Sequence, residues 1–242
     1  MKITVIETGL PPESIRADWP GYPEMFERLI SGASDGFSFE TVSVALGDAL
    51  PDPAELDAVL ITGSAAGVYD PEPWMATLMD FIRWTAAAKT PLVGVCFGHQ
   101  AIAQALGGLA AKSDKGWGVG RHDYVVRETP DWADAPIEKL SFAVSHQDQV
   151  LTPPPGARAF LHSEFTPFAG LVFEQTPILT FQGHPEFDNG YAAALYGARR
   201  GRPLTDAQVN YAVASLARPE DNQTAAEWMT RFFRASGESG AR

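Results

Sequence analysis

Cysteine is almost absent from this 242-residue chain, which contains only Cys96. A single cysteine excludes an intramolecular disulfide and any cysteine-rich zinc site. The five histidines show no His-Glu-x-x-His spacing, so we expect neither a metal nor another cofactor. The one thiol is either a buried structural group or a chemically reactive one.

Basic residues and long apolar runs are also scarce. The chain has 18 Lys and Arg against 30 Asp and Glu, a formal net charge of −12, and no basic stripe. This balance argues against binding to nucleic acid or to an anionic membrane. No apolar run reaches the roughly 18 residues that suggest a membrane span, and the apolar segment before Glu7 is too short for a signal-peptide core. We therefore expect a cytoplasmic protein with a small-molecule substrate.

Apolar runs alternate with helical patterns through the first hundred residues. Strands are predicted at 3–6, 37–46, 55–62 and 92–95, and helices at 22–31, 73–88 and 101–106. This alternation predicts an α/β fold with a mostly parallel central sheet flanked by helices. In such sheets the active site lies beyond the carboxyl ends of the strands.

The second half of the chain has a different pattern. Short strands, predicted at 119–127, 141–151, 157–163, 171–174 and 178–181, are separated by prolines and leave little room for crossover helices. We expect a small antiparallel extension of the same sheet. Residues 190–242 then form a C-terminal helical extension, with helices at 190–200, 205–216 and 224–235. Because no repeat or low-complexity linker interrupts the chain, residues 1–242 are predicted to form a single domain.

The segment Gly94-Val-Cys96-Phe-Gly98 lies between a predicted strand and a predicted helix. This Gly-x-Cys-x-Gly pattern is a version of the nucleophile elbow, in which a sharp turn exposes the central side chain. Glycines on both sides suit such a turn because side chains there would crowd the backbone. The helix N-terminus that follows favours a thiolate at Cys96. The alternative is an inert buried cysteine.

A thiolate nucleophile needs a general base, and that base needs a group to orient it. The segment Gly183-His-Pro-Glu186 offers both. At a strand end, His184 and Glu186 project to the same side, so the carboxylate can hold one tautomer of the imidazole and stabilise its cation. The alternative for this segment alone is a surface turn.

Backbone N–H groups near Cys96 are candidates for an oxyanion hole. The residue after the nucleophile, Phe97, supplies one donor, and the turn at Gly63 and Ser64 after the third strand supplies another. The alternative for Gly63-Ser-Ala-Ala-Gly67 is a plain turn of small residues. Its spacing matches no nucleotide-phosphate motif.

Together these motifs resemble class I glutamine amidotransferases. The segments Cys96-Phe-Gly-His-Gln100, Ser145-His-Gln-Asp148 and Gly183-His-Pro-Glu186 occur in the family's order, and the similarity is closest to the glutaminase domain of GMP synthase and its stand-alone relatives. The resemblance implies a flavodoxin-like fold and cleavage of the γ-glutamyl amide through a cysteinyl thioester. It also implies that Cys96 is the nucleophile, His184 the general acid and base, and Glu186 its orienter.

The same resemblance assigns the other site residues. Phe97 and Ser64 match the positions whose N–H groups bind the oxyanion. The expected substrate-binding residues are Gly63, Gln100, Ser145, His146, Gln147 and Asp148. In the family the oxyanion loop usually reads Gly-Gly-Pro or Asn-Gly-Pro, whereas this chain has Ser64 and Ala65, which keeps a backbone donor and loses the rigid proline.

Four functional interpretations stay open at this point. The chain is a self-sufficient γ-glutamyl hydrolase, a glutaminase subunit of a separate synthetase chain, or a non-catalytic binding protein of the same fold. A fourth is a DJ-1/PfpI-like cysteine hydrolase, in which histidine usually follows the nucleophile directly. Here Phe97 follows it, and His184 supplies the base instead.

Overall fold

The computed structural model describes residues 1–133, 136–173 and 175–240 of the chain. The strands in this part are β1 (Lys2–Glu7), β2 (Ser38–Ser43), β3 (Ala58–Ile61), β4 (Leu92–Val95), β5 (Leu109–Lys112), β6 (Gly118–Val126), β7 (Lys139–His146), β8 (Asp148–Thr152), β9 (Ala157–His162), β10 (Gly170–Phe173) and β11 (Ile178–Phe181). The helices are α1 (Tyr22–Ala33), α2 (Met75–Ala88), α3 (Phe97–Ala105), α4 (Asn189–Ala198), α5 (Asp206–Ser215) and α6 (Asn222–Gly240).

One large sheet organises the described chain, with strand order β2-β1-β3-β4-β11-β10-β9-β6-β7. The strands from β2 to β11 in this order pair in parallel, and the pairs beyond β11 are antiparallel. Strands β3 and β4 are buried along their whole length, as continuous apolar runs are when helices cover both faces of a parallel sheet. The predicted α/β fold with an antiparallel extension is confirmed.

Helices cover the sheet on both faces. Phe26 of α1 and Trp228 of α6 belong to the apolar cluster on one face, and Leu78 of α2 and Ile102 of α3 belong to the cluster on the other. Full burial of a side chain of this size stabilises the fold by about 1.5–3 kcal/mol. A third cluster joins α4 and α5 to the antiparallel end of the sheet. The segment 190–240 therefore packs against the sheet.

The structure differs from the predicted elements in three places. The predicted strand 141–151 is two strands, because the chain leaves the large sheet after His146 and pairs in β8 with β5, a strand the sequence did not indicate. Helix α3 begins at Phe97 rather than at residue 101. Strand β10 covers the predicted strand 171–174 up to Phe173, while Glu174 lies outside the described residues. Among the helices described, none is both long and apolar enough to span a bilayer.

Candidate active site

Three loops at the carboxyl ends of neighbouring parallel strands form the site. Cys96 follows β4, Gly63 follows β3 on one side of it, and His184 follows β11 on the other. Backbone hydrogen bonds connect the three loops: the Cys96 N–H donates to the Phe181 carbonyl oxygen at 2.8 Å, and the Gly98 N–H donates to that of Thr62 at 3.2 Å. The sheet order thus brings together segments more than a hundred residues apart, at the edge where such sheets place ligands.

The turn at Cys96 has the strained geometry of a nucleophile elbow. Cys96 adopts φ 53° and ψ −104°, a positive φ at a residue other than glycine. Such conformations cost on the order of 1–3 kcal/mol and are concentrated at functional sites. A Cβ atom at Gly94 would lie 2.7 Å from the Gly98 carbonyl carbon, and one at Gly98 would overlap the Ile61 carbonyl oxygen. Both flanking glycines are therefore required by close packing of β4, α3 and β3.

His184 is fixed on two sides. Its Nδ1 lies 2.7 Å from the Glu186 Oε1, and its ring stacks on Phe187 at a centroid distance of 4.0 Å and an interplanar angle of 5°. The His184 backbone N–H donates to the Ala143 carbonyl oxygen at 2.9 Å, which attaches the loop to β7. Since Nδ1 is engaged by a carboxylate, the other ring nitrogen is the one available for proton transfer.

The surroundings of His184 favour its charged form. Burial of the ring lowers the pKa of His184, but attraction to Glu186 and to Cys96 outweighs burial and raises the pKa above the ordinary value of 6.5. A Cβ atom at Gly63 would lie 3.0 Å from the His184 Cε1 and 3.7 Å from the Cys96 Cβ, so the two side chains converge on this glycine. The three groups can therefore hold a thiolate and an imidazolium together at neutral pH.

Two backbone amides near Cys96 are unused. Within the described chain, neither the Phe97 N–H nor the Ser64 N–H donates to another protein group. Phe97 is the first residue of α3, where the amides lack partners in the helix and carry positive potential. The Ser64 side chain instead accepts a hydrogen bond from the Ala66 N–H at 3.1 Å, which shapes the loop after β3.

A cavity of about 210 Å³ opens over Cys96. This volume is below the roughly 300–1,000 Å³ of sites for drug-sized ligands, and it suits a ligand the size of an amino acid. The predicted site residues that line it are Ser64, Cys96, Gln100, Ser145, His146, Gln147 and Asp148. Gly63, Phe97, His184 and Glu186 lie outside the lining, with Gly63 and His184 packed beside Cys96.

The segment between β7 and β8 forms one wall of the cavity. The change of sheet at this point leaves Gln147 in a bend, with its carbonyl oxygen accepting from the Ser113 N–H. Gln100 connects α3 to this wall, because its Nε2 donates to the Asp148 carbonyl oxygen at 2.8 Å and to the Gln182 Oε1 at 3.1 Å. Burial and the Asp148 carboxylate together raise the pKa of Tyr69 to about 12.

Two further histidines near the site are neutral. Burial lowers the pKa of His146 to about 3 and that of His99 to about 3. The His146 Nδ1 faces the Asp148 carbonyl oxygen at 3.0 Å, and the His99 Nδ1 faces the Thr180 Oγ1 at 2.7 Å. A group that stays neutral over the working pH range cannot alternate as acid and base, so both histidines have the environment of structural residues.

Several cavity residues were not found from the sequence. They are Ala65, Ala66, Gly67, Tyr69, Asp70, Lys112, Trp117 and Arg199. Tyr69 and Asp70 continue the loop after β3, so the rule that ligands bind at strand ends could have found them. Arg199 comes from the end of α4 and carries no local motif. Over residues 1–133, 136–173 and 175–240, no three His, Cys, Asp or Glu side chains cluster as metal ligands.

Comparison with known proteins agrees with this geometry. The profile of the family described as glutamine amidotransferase class-I matches residues 38–196, a span that contains the Cys96, Ser145 and His184 motifs. The chain belongs to the class I glutamine amidotransferase family. A solved glutamine amidotransferase from Methylobacillus flagellatus has the same fold, with a TM-score of 0.76 at 21% identity over 99% of this chain and 94% of that one.

Relatives of this class I glutamine amidotransferase differ in their names. A glutamine amidotransferase-like protein of Schizosaccharomyces pombe is 27% identical over 96% of this chain and 98% of its own length. Gamma-glutamyl peptidase 2 of Arabidopsis thaliana is 30% identical over 57% and 56%. A glutamine-hydrolyzing GMP synthase subunit of Ignicoccus hospitalis is 30% identical over 60% and 74%. The family therefore contains hydrolases of γ-glutamyl compounds and subunits of a synthase.

Proposed function

We propose that this protein hydrolyses the γ-glutamyl amide bond of glutamine or of a γ-glutamyl amide or peptide. The observation that carries the proposal is the contact of Glu186 with His184 at 2.7 Å beside the strained Cys96. A carboxylate, an imidazole and a thiol in this order match the requirements of a catalytic triad, which is recognised by geometry and roles.

In the first step, the Cys96 thiolate attacks the γ-carbonyl carbon and a C–S bond forms. The negative charge moves to the carbonyl oxygen, where the unused N–H groups of Phe97 and Ser64 stabilise it. His184 then donates its proton to the leaving nitrogen, and the C–N bond breaks. The amine or ammonia departs, and the γ-glutamyl group stays on Cys96 as a thioester.

In the second step, water hydrolyses the thioester. Neutral His184 now acts as a base and removes a proton from the water, while Glu186 stabilises the resulting imidazolium. The C–O bond forms, the C–S bond breaks, and glutamate leaves with the thiolate restored. The need for a free thiol throughout the cycle fits a reducing cytoplasm.

The cavity wall supports this substrate class. A γ-glutamyl group carries an α-ammonium and an α-carboxylate, and we assign the α-ammonium to the Asp148 carboxylate. Gln100, Ser145, His146 and Gln147 shape the pocket around the glutamyl chain, and Gly63 allows the chain to approach His184 and Cys96. Lys112 and Arg199 give the same wall positive charge.

We favour a self-sufficient hydrolase over one that depends on a synthetase. The chain supplies the triad, both candidate oxyanion donors and a lined cavity by itself, and gamma-glutamyl peptidases are among its relatives. The similarity to a GMP synthase subunit favours the alternative, in which a separate synthetase chain docks and receives the ammonia. A non-catalytic binding protein would need neither the strained cysteine nor the oriented histidine.

The experiment is ammonia and amine release by the purified chain from glutamine and a panel of γ-glutamyl amides and peptides, with Cys96→Ala as the blank. Turnover of one substrate that depends on Cys96 supports the hydrolase. No turnover, together with rapid alkylation of Cys96 by the chloromethyl ketone analogue of glutamine, favours the synthetase-dependent glutaminase. No turnover and no selective alkylation would overturn the proposal.

A further inference from the structure

Arg199, at the C-terminal end of α4, extends into the wall of the Cys96 cavity. One guanidinium nitrogen, Nη1, donates to the Ser145 Oγ at 2.5 Å and to the Ser145 carbonyl oxygen at 3.1 Å. The guanidinium also lies over the Trp117 ring, 5.5 Å from its centroid. The hydroxyl, the carbonyl and the ring together fix this cation, and α4 itself is anchored because the Tyr196 hydroxyl donates to the Val144 carbonyl oxygen.

This fixed cation has no carboxylate partner in the described chain. Other arginines nearby are paired: Arg200 with Asp206, Arg218 with Asp123, and Arg121 with Glu220. Arg199 contacts only neutral oxygens and an aromatic ring, although the chain has a net charge of −12. A partly buried guanidinium with donors left over is suited to bind an anionic ligand, because Arg presents a planar fork that matches a carboxylate.

The position of Arg199 relative to the triad limits which carboxylate can reach it. Ser145 is two residues along β7 from Ala143, whose carbonyl oxygen accepts the His184 N–H. Two residues of strand span about 7 Å. In a γ-glutamyl group, four carbon–carbon bonds separate the scissile carbonyl carbon from the α-carboxylate carbon, a comparable reach.

We infer that Arg199, with Lys112 at the cavity rim, forms a subsite for the α-carboxylate of the γ-glutamyl substrate. This inference rests on the proposed function. Lys112 is exposed at the end of β5, has no carboxylate partner in the described chain, and lines the same cavity. Arg199 lies just beyond residue 196, where the match to the family profile ends. The C-terminal helical extension would therefore contribute to substrate selection as well as to packing.

The test compares a substrate with its α-carboxamide analogue, which lacks only the negative charge. We expect Arg199→Met to lose about 10- to 100-fold in kcat/KM on the α-carboxylate substrate, mainly through KM, because a charge-assisted hydrogen bond remote from the scissile bond is removed. On the α-carboxamide substrate the wild type and Arg199→Met should differ less than threefold. Arg199→Lys should recover part of the loss, since it keeps the charge.

Arg200→Met is the matched control, because it removes the same charge from the next residue, whose guanidinium is exposed and paired with Asp206. Its kinetics on both substrates should equal those of the wild type. An equal loss by Arg199→Met on both substrates would overturn the inference, since it would mean that Arg199 only holds Ser145 and Trp117 in place. An unchanged kcat/KM on the α-carboxylate substrate would overturn it as well.

Alkylation of Cys96 separates this inference from the proposed function. Wild type should react faster with the chloromethyl ketone analogue of glutamine than with its α-carboxamide, and Arg199→Met should remove that preference while keeping its rate with iodoacetamide. Preference retained in Arg199→Met would overturn the subsite alone. Absence of turnover, with no faster reaction of the glutamine analogue than of iodoacetamide, would overturn the proposed function and the subsite with it.

Discussion

The Nδ1 of His184 lies 2.7 Å from the Oε1 of Glu186, and both side chains are almost fully buried. The carboxylate stabilises the imidazolium, and together with Cys96 it raises the pKa of His184 against the opposing effect of burial. This pair follows β11, the strand adjacent to the one that ends at Cys96. The contact joins the fold to the proposed chemistry, because it sets both the orientation and the charge of the proposed base.

Glu186→Gln should lower kcat by about 10²- to 10⁴-fold, because the amide neither stabilises the imidazolium nor enforces the tautomer. Removing the carboxylate also lowers the pKa of His184, so the alkaline limb of the kcat/KM profile should move to lower pH by about one unit or more. Steady-state kinetics across pH 6–10 measure both effects. Glu24→Gln, at an exposed helix position, is the control, and an alkaline limb that stays in place in Glu186→Gln would contradict the prediction.

Gly63→Ala should impair catalysis more than folding. The added methyl group would lie 3.0 Å from the His184 Cε1, so the imidazole must move relative to Cys96. A displacement of the order of 1 Å in a catalytic group costs about 10²-fold in rate. We expect kcat to fall by about 10- to 100-fold with less than about 1 kcal/mol change in the free energy of unfolding. Wild-type kcat in this variant would show that the packing around His184 is looser than the structure indicates.

Gly98→Ala should destabilise the fold. Its Cβ would overlap the Ile61 carbonyl oxygen, so α3 and β3 must separate, at a cost of about 1–3 kcal/mol. Gly32→Ala is the matched control, because a Cβ at this α1 position has no neighbour within 4 Å. That variant should gain about 0.5–1 kcal/mol from the lower flexibility of its unfolded chain. Urea unfolding measures both changes, and equal stabilities would contradict the packing argument.

The buried neutral histidines should make the fold acid-sensitive. Burial lowers the pKa of His99 to about 3, of His146 to about 3 and of His122 to about 4. Below about pH 6.5 the unfolded chain binds a proton at each of these residues and the folded chain does not, so the free energy of unfolding falls as pH falls from 6.5 to 5. Each histidine contributes at most about 1.4 kcal/mol per pH unit.

His184 does not oppose this trend. Its pKa in the folded chain is raised, so its stabilising contribution is complete below pH 6.5 and is lost only as pH rises through the folded pKa. Urea unfolding at pH 7, 6 and 5 measures the slope, and His99→Gln should flatten it by removing one titrating group. A free energy of unfolding independent of pH over this range would contradict the prediction.

The sequence predicts the parts of the site that depend on local motifs. Gly94, Cys96 and Gly98 constrain a single turn, and the parallel order of β3, β4 and β11 then brings Ser64 and His184 to that turn. For this reason the α/β fold and the family were predictable. The roles of the triad, the oxyanion donors and the substrate-binding residues stay predictions until they are measured, as does the assignment of residues 1–242 to a single domain.

Other parts of the structure depend on packing between distant segments. The alternating pattern of 141–151 continues across the change of sheet at Gln147, so a period of two residues could not show that two strands are present. Helix α3 begins at Phe97 although Gly98 disfavours helix, because contacts with β3 and β11 fix this turn. Arg199 and Trp117 meet only when α4 packs against β7, and no local spacing connects them.

The most direct test of the account is to trap the thioester at Cys96. Wild-type protein mixed with its best γ-glutamyl substrate and quenched in acid should carry a γ-glutamyl adduct on the peptide containing Cys96, measured by mass spectrometry. Hydroxylamine should remove this adduct, and Cys96→Ala should neither form it nor release amine. Hydrolysis that continues in Cys96→Ala, or rapid turnover with no adduct under conditions where the thioester is stable, would contradict the central claim.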